Sequence, residues 1–405
     1  MVQRNRNMAR LQAGYLFPEI NRRKNALLAR KPDAKIISLG IGDTTQPLTP
    51  HISKALENCG RALGTAEGYS GYGAEQGNPQ LRAAIANKIY GGKVKPEEVF
   101  VSDGAKCDCG RLQLLFGPDV SVAVQDPSYP VYVDGSVILG QTGDFDSKAQ
   151  QFDGIAYMTC TPENDFFPDL GKVPRTDLVY FCSPNNPTGA VATREQLAEL
   201  IEFAKSNRSI ILFDAAYSVF VQDPSLPRSI FELDGAREVA LEINSFSKSA
   251  GFTGVRLGWT VVPAELKFDD GTPVSKDWTR IVTTLFNGAS NIVQQGGLAA
   301  LDDEGLAEIR RLVSYYLENA RIIKSALSEM GYVTYGGENS PYIWTRMEGK
   351  GSWEAFEEIL ETCHVVTTPG AGFGPAGEGF IRFSSFGRRG DVEEAVGRLR
   401  RTMRH

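Results

Sequence analysis

The chain has 405 residues, 42% hydrophobic and 23% charged, a balance that excludes a disordered chain and leaves ample material for a large core. A formal net charge of −6 excludes a wholesale basic surface, so neither nucleic acid nor an anionic membrane is an expected partner. The three histidines, His51, His364 and His405, stand far apart, so no histidine-rich metal site and no metal is expected.

Met1 to Arg10 carries three arginines and no acid, as a trimmed transit peptide or a frayed terminus would. Residues 1–35 read as an arm, with an amphipathic stretch from Phe17 to Arg30. Ile36 to Leu39 lead into the turn Gly40-Ile41-Gly42-Asp43. Pro79 to Tyr90 has helical spacing, with Leu81, Ile85 and Ile89 four apart and Pro79 at its start. From Val99 strands and helices alternate. The strands fall at Val99–Val101, Val120–Val124, Leu178–Phe181, Ile210–Phe213, Val239–Ile243 and Leu257–Val262, with helices at Ala105–Phe116 and Thr193–Asn207. Near-continuous apolar runs such as Ile210–Phe213 are those of buried parallel strands. After Asn287 long helices dominate, Leu306 to Met330 the clearest, and the tail mixes strands at Tyr342–Trp344 and Phe380–Phe383 with two more helices. The expected fold class is therefore α/β: a large domain (71–289) with a mostly parallel sheet between helices, and a smaller α+β domain (36–70 and 290–405).

No apolar run reaches the ~18 residues of a membrane span. The six cysteines form no Cys-x-x-Cys pair, which reads as free thiols in a reducing compartment. That compartment is the plastid stroma for a photosynthetic eukaryote and the cytoplasm otherwise.

Ligands of open α/β sheets bind beyond the carboxyl ends of the strands. Here those ends carry Asp126-Pro127-Ser128-Tyr129, Ser183-Pro184-Asn185-Asn186-Pro187-Thr188-Gly189, Asp214 with Tyr217 three later, and Ser245-Phe246-Ser247-Lys248 with Arg256 eight later. Singly, each has a bland reading as a turn, a cap or a solvated charge. Together they supply a reactive amine, a buried acid, hydroxyl donors, a guanidinium and an aromatic ring. Pyridoxal 5′-phosphate needs that whole set: a lysine for its aldehyde, an anion for its ring nitrogen, and donors for its phosphate.

At these residues the chain resembles the class I/II, fold-type I, pyridoxal-phosphate-dependent aminotransferases. SPNNPTG (183–189), Asp214 with Tyr217, SFSKSAGFTGVRLGW (245–259) and IRFSSFG (381–387) carry the resemblance, which spans essentially the whole chain. It implies that Lys248 holds the cofactor covalently and then moves the substrate proton. Asp214 would pair with the ring nitrogen, Asn186 and Tyr217 with the ring hydroxyl, and Tyr129 would stack on the ring. Ser245, Ser247 and Arg256 would hold the phosphate, with backbone donors at Ala105 and Lys106. Tyr72, in Gly71-Tyr72-Gly73, would reach it from a partner subunit. Arg382 would clamp the substrate α-carboxylate. A homodimer with shared active sites is implied by the resemblance alone.

GIGDTTQPL (40–48), GYGAEQGNPQLR (71–82), SDGAKCDCGRLQLLFG (102–117) and TLFNGASNIVQQGG (284–297) resemble the diaminopimelate-using branch of that family. The implied substrates are LL-diaminopimelate, tetrahydrodipicolinate, glutamate and 2-oxoglutarate, in lysine biosynthesis. Glu75 would meet the distal ammonium, and Lys106 and Asn287 the distal carboxylate. Tyr15 and Gly42 would close over the substrate, with Tyr129 and Asn186 bordering it. The alternatives are an aspartate, aromatic or alanine-like aminotransferase and a pyridoxal-phosphate carbon–sulfur lyase. A dehydrogenase is disfavoured: Pro375 follows Gly370-Ala371-Gly372-Phe373-Gly374 where a fingerprint helix should run.

Overall fold

A computed structural model describes residues 1–11 and 16–403. Seven strands make the large sheet: β1 (Val99–Ser102), β2 (Val122–Asp126), β3 (Ile155–Thr159), β4 (Leu178–Cys182), β5 (Ile210–Asp214), β6 (Ala240–Ser245) and β7 (Gly258–Val261). They lie in the order β1-β7-β6-β5-β4-β2-β3. β7 runs antiparallel to both neighbours and all other pairs are parallel. Their interiors are mostly apolar and buried on both faces, as helices on both sides require, except in the half-buried edge strand β3. Register then sets the site. Cys182 pairs with Asp214, Asp214 with Ile243, and Gly258 with both Ser245 and Ser102. Groups far apart in sequence thus stand abreast at one sheet edge.

Four strands form the small sheet: β8 (Thr334–Gly336), β9 (Tyr342–Arg346), β10 (Thr368–Pro369) and β11 (Phe380–Ser384), antiparallel in the order β8-β9-β11-β10. The helix Leu16–Arg30 packs into this domain through Leu16, Ile20 and Leu27. Arg23 and Arg30 pair with Glu357 and Glu361 on the helix Ser352–Cys363.

The cores do not divide at 70 and 290. Ile52, on the helix Pro50–Ala62, and Ala300 and Leu301, on Asn291–Leu301, join the large-domain core. The 27-residue helix Asp303–Glu329 spans both: Ile309 to Tyr316 face the large core, and Ala320 to Leu327 the small one. The physical reason is burial. The apolar faces of these helices are covered by the sheet's helical layer, so the small domain gathers its core from about residue 320 onward, plus the segment 16–39. Among the described residues no helix is long and apolar enough to cross a membrane, and all six cysteines are free, four of them buried.

Candidate active site

A cavity of about 500 Å³ opens where β4, β5 and β6 end. Lys248, on the single helical turn after β6, points its amine at the carbonyl of Gly42. Burial lowers its pKa to about 8; Asp43 opposes the shift, while Arg382, Arg256 and Lys106 reinforce it. A lysine so placed is a usable nucleophile and proton carrier near neutrality.

Asp214 closes the far end. One carboxylate oxygen accepts the Tyr132 hydroxyl at 2.6 Å, and the other the Ala216 N–H at 3.0 Å. No ion pair to it is found among the described residues. Burial raises its pKa, and the two donors resist the rise. A buried carboxylate with neutral partners only is an unfilled demand for a cation.

A third wall gathers groups suited to an anion. Ser245 and Ser247 line it, the Ser247 N–H donating to Ser245 Oγ at 3.0 Å. Arg256 donates to Thr253 O at 3.2 Å and approaches Ser247 Oγ at 3.5 Å. The helix Ala105–Phe116 starts here without a side-chain cap, so its first N–H groups face the cavity at the positive end of the helix. Asp108 pins that helix start to the sheet, accepting from Ser102 on β1 at 2.6 Å and Thr260 on β7 at 2.8 Å. Gly104 holds φ +127°, which side-chain-bearing residues rarely adopt, and a Cβ there would lie 2.4 Å from Arg256 Nη2 and push that guanidinium aside. Gly104→Ala should therefore weaken cofactor binding by about tenfold or more, measured by titrating cofactor-free protein.

Arg382, on β11, is buried and forms no ion pair among the described residues. It donates to Asn186 Oδ1 at 2.5 Å, to Gly40 O and to Thr368 Oγ1. Its Nε has no hydrogen-bond partner among the described residues, and burial lowers its pKa. An arginine held by neutral acceptors is ready for a carboxylate. The cavity thus offers an amine, an acid suited to a ring nitrogen, an anion cradle and a carboxylate clamp. The residues present fit pyridoxal 5′-phosphate.

Of the expected site residues, the cavity gathers Gly42, Ala105, Lys106, Tyr129, Asn186, Asp214, Tyr217, Ser245, Ser247, Lys248, Arg256 and Arg382. Tyr72, Glu75 and Asn287 are not among its walls; they share a separate groove, and Tyr72 is 93% exposed. Within one chain Asn287 therefore does not join Lys106. Tyr15 lies outside the described residues. Sequence reasoning missed Tyr132, Tyr342, Asp43 and Phe17, which also line the cavity. Tyr132 sits three residues after Tyr129, one helical turn on, and that spacing was its only signal.

The aminotransferase class I and II family model matches residues 34–399. The chain is 58% identical to the LL-diaminopimelate aminotransferase of Protochlamydia amoebophila (strain UWE25), over 100% of this chain and 98% of that one. It is 59% identical to the chloroplastic LL-diaminopimelate aminotransferase of Arabidopsis thaliana, over 98% of this chain and 87% of that one. Among solved structures, the LL-diaminopimelate aminotransferase of Chlamydomonas reinhardtii superposes with a TM-score of 0.95 at 58% identity, covering 99% and 98% of the two chains. The large sheet, the lysine at its edge and the flanking small domain are those of fold-type I, and the chain belongs to the class I and II aminotransferases.

Proposed function

We propose that this chain reversibly transfers an amino group from glutamate to tetrahydrodipicolinate, forming LL-diaminopimelate and 2-oxoglutarate on the route to lysine. One observation carries the reaction type: the Lys248 amine and the Asp214 carboxylate line one cavity together with an anion cradle and Arg382. The substrate follows from full-length identity of 58–60% to three LL-diaminopimelate aminotransferases.

Pyridoxal 5′-phosphate, when bound, supplies an aldehyde that exchanges with amines and a conjugated ring that takes up the electrons left when the α-proton departs. The chain does the rest. Ser245, Ser247, Arg256 and the N–H groups from Ala105 would hold the phosphate. Asp214 would pair with the ring nitrogen and keep its positive charge in place. Asn186 and Tyr217 would hold the ring hydroxyl, and Tyr129 would stack on the ring. Arg382 binds the α-carboxylate, which fixes the α-hydrogen relative to Lys248. Lys248, with its pKa near 8, takes that proton and returns it two atoms further along, on the far side of the transferred nitrogen.

Specificity for a substrate with a second ammonium and carboxylate needs polar groups at the far end. Lys106 is this chain's donor there. Glu75 and Asn287 contribute there from a second copy, which also brings Tyr72 to the phosphate, a reading supported by the grouping of the three in an exposed groove away from Lys248. The decisive assay gives purified protein LL- or meso-diaminopimelate with 2-oxoglutarate. Glutamate should form fastest from the LL isomer; faster turnover of aspartate or alanine would refute the substrate, and release of pyruvate and ammonia would point to a lyase. Glu75→Ala should raise KM for LL-diaminopimelate by about tenfold or more while sparing glutamate. Equal losses on both would remove Glu75 from the distal site.

A further inference from the structure

We propose that Tyr342 is a positioning residue serving two groups of the site at once. Its hydroxyl turns the Tyr217 proton into the cavity, and its ring holds the Arg382 guanidinium. The inference rests on the aminotransferase reaction proposed for this chain.

Tyr342 opens β9 of the small sheet and is 1% exposed. Its hydroxyl lies 2.7 Å from the Tyr217 hydroxyl, and that is its only hydrogen-bond partner among the described residues. Two phenols share one mutual bond, so one donates and the other accepts. With an anionic ligand oxygen in the cavity, one order satisfies all three oxygens: Tyr342 donates to Tyr217, and Tyr217 donates to the ligand. A phenylalanine at 342 leaves Tyr217 without that donor. Its proton is then less acidic and its bond to the ligand weaker.

The ring does separate work. The Arg382 guanidinium carbon stands 4.3 Å from the centre of the Tyr342 ring and 4.8 Å from that of Phe373. The arginine's hydrogen-bond partners, Asn186, Gly40 and Thr368, are all uncharged. Aromatic faces therefore supply the negative potential that steadies the cation without neutralising it. A carboxylate at 342 would do the opposite and compete with the substrate. Gly42 fits the same arrangement: a Cβ on it would come within 2.4 Å of the Tyr342 hydroxyl, so the loop that faces Lys248 closes directly onto this tyrosine.

The test compares wild type, Tyr342→Phe, Tyr342→Leu and Tyr217→Phe, each loaded with pyridoxal 5′-phosphate. The pH midpoint of the visible absorbance is read beside KM and kcat. A donor at the ring oxygen favours the chromophore with its proton removed, so weakening that donor moves the midpoint up. Tyr342→Phe should raise it by roughly half to one pH unit, in the direction of Tyr217→Phe, with KM for the amino acid within about twofold of wild type. Adding Tyr342→Phe to Tyr217→Phe should shift it no further. Tyr342→Leu should give the same midpoint and raise KM about tenfold, and Tyr342→Met replaces it if the leucine protein does not fold. A wild-type midpoint in Tyr342→Phe, or a wild-type KM in the variant lacking the ring, overturns the proposal. Failure of the wild-type protein to take up the cofactor would instead refute the aminotransferase reading.

Discussion

Lys248→Ala should abolish transamination, lowering kcat/KM by about 10⁴-fold or more, and should remove the visible absorbance of the cofactor-loaded protein. On the proposed function the amine is both the group that anchors the cofactor and the base that moves the substrate proton, so one substitution takes away both. Lys106 also lines the cavity, but its amine lies over the Tyr129 ring at 5.4 Å, on a different wall, and does not replace it. Retention of activity and absorbance together would remove Lys248 from the chemistry. The same residue carries a pH signature. Capture of the cofactor by cofactor-free protein needs the neutral amine, and burial brings its pKa from 10.5 to about 8. The sign is fixed by the cause: burial penalises the ammonium form, so the neutral fraction is one half near pH 8 and falls tenfold for each unit below it. Stopped-flow capture rates should rise with pH and level off above about 8, whereas an ordinary lysine would still be gaining at pH 10.

Much of this site was legible in the sequence because it sits where a parallel sheet ends. Runs such as Ile210–Phe213 announce buried strands, and the first polar residue after such a run is a candidate ligand-facing group. Asp214 was visible that way, Lys248 through the run Ser245-Phe246-Ser247-Lys248 with Arg256 eight later, and the helix Ala105–Phe116 was placed to the residue. What stayed hidden came from tertiary structure. Tyr342 lies 94 positions after Lys248 (342 − 248) and reaches the cavity only because the small sheet folds over the large one. β3 escaped because it is an edge strand with a half-buried, mixed pattern, which lacks the continuous apolar signal of the central strands. The domain boundaries shifted because one long helix spans both cores, and periodicity reports that a face is buried without saying against what. Tyr72, Glu75 and Asn287 belong to a site only across two copies on the proposed reading, and a single sequence does not distinguish a contact within a chain from one between chains.

Asp214→Asn should lower kcat by about 10³-fold and weaken cofactor binding, with little change in KM for the amino acid. The amide has the carboxylate's shape and keeps the local bonds. Its oxygen accepts the Ala216 N–H, and its nitrogen donates to the Tyr132 oxygen, which now accepts where it had donated. What is lost is the charge, and with it, on the proposed function, the counter-ion that keeps the cofactor's ring nitrogen positive. A purely structural role predicts another pattern, so stability separates the two. In the cofactor-free protein Asp214 is buried without a cation, and burial raises its pKa. A carboxyl whose pKa is raised on folding destabilises the native state at every pH where it is ionised. Asparagine removes that penalty, so the cofactor-free variant should melt higher than wild type at neutral pH, and the difference should shrink as acid protonates the wild-type carboxyl. The cofactor-loaded variant should melt lower than loaded wild type, because the bound ring nitrogen has lost its counter-charge. Opposite signs in the two forms identify a charge kept at a cost for the ligand; a loss of stability in both would reduce Asp214 to a packing residue.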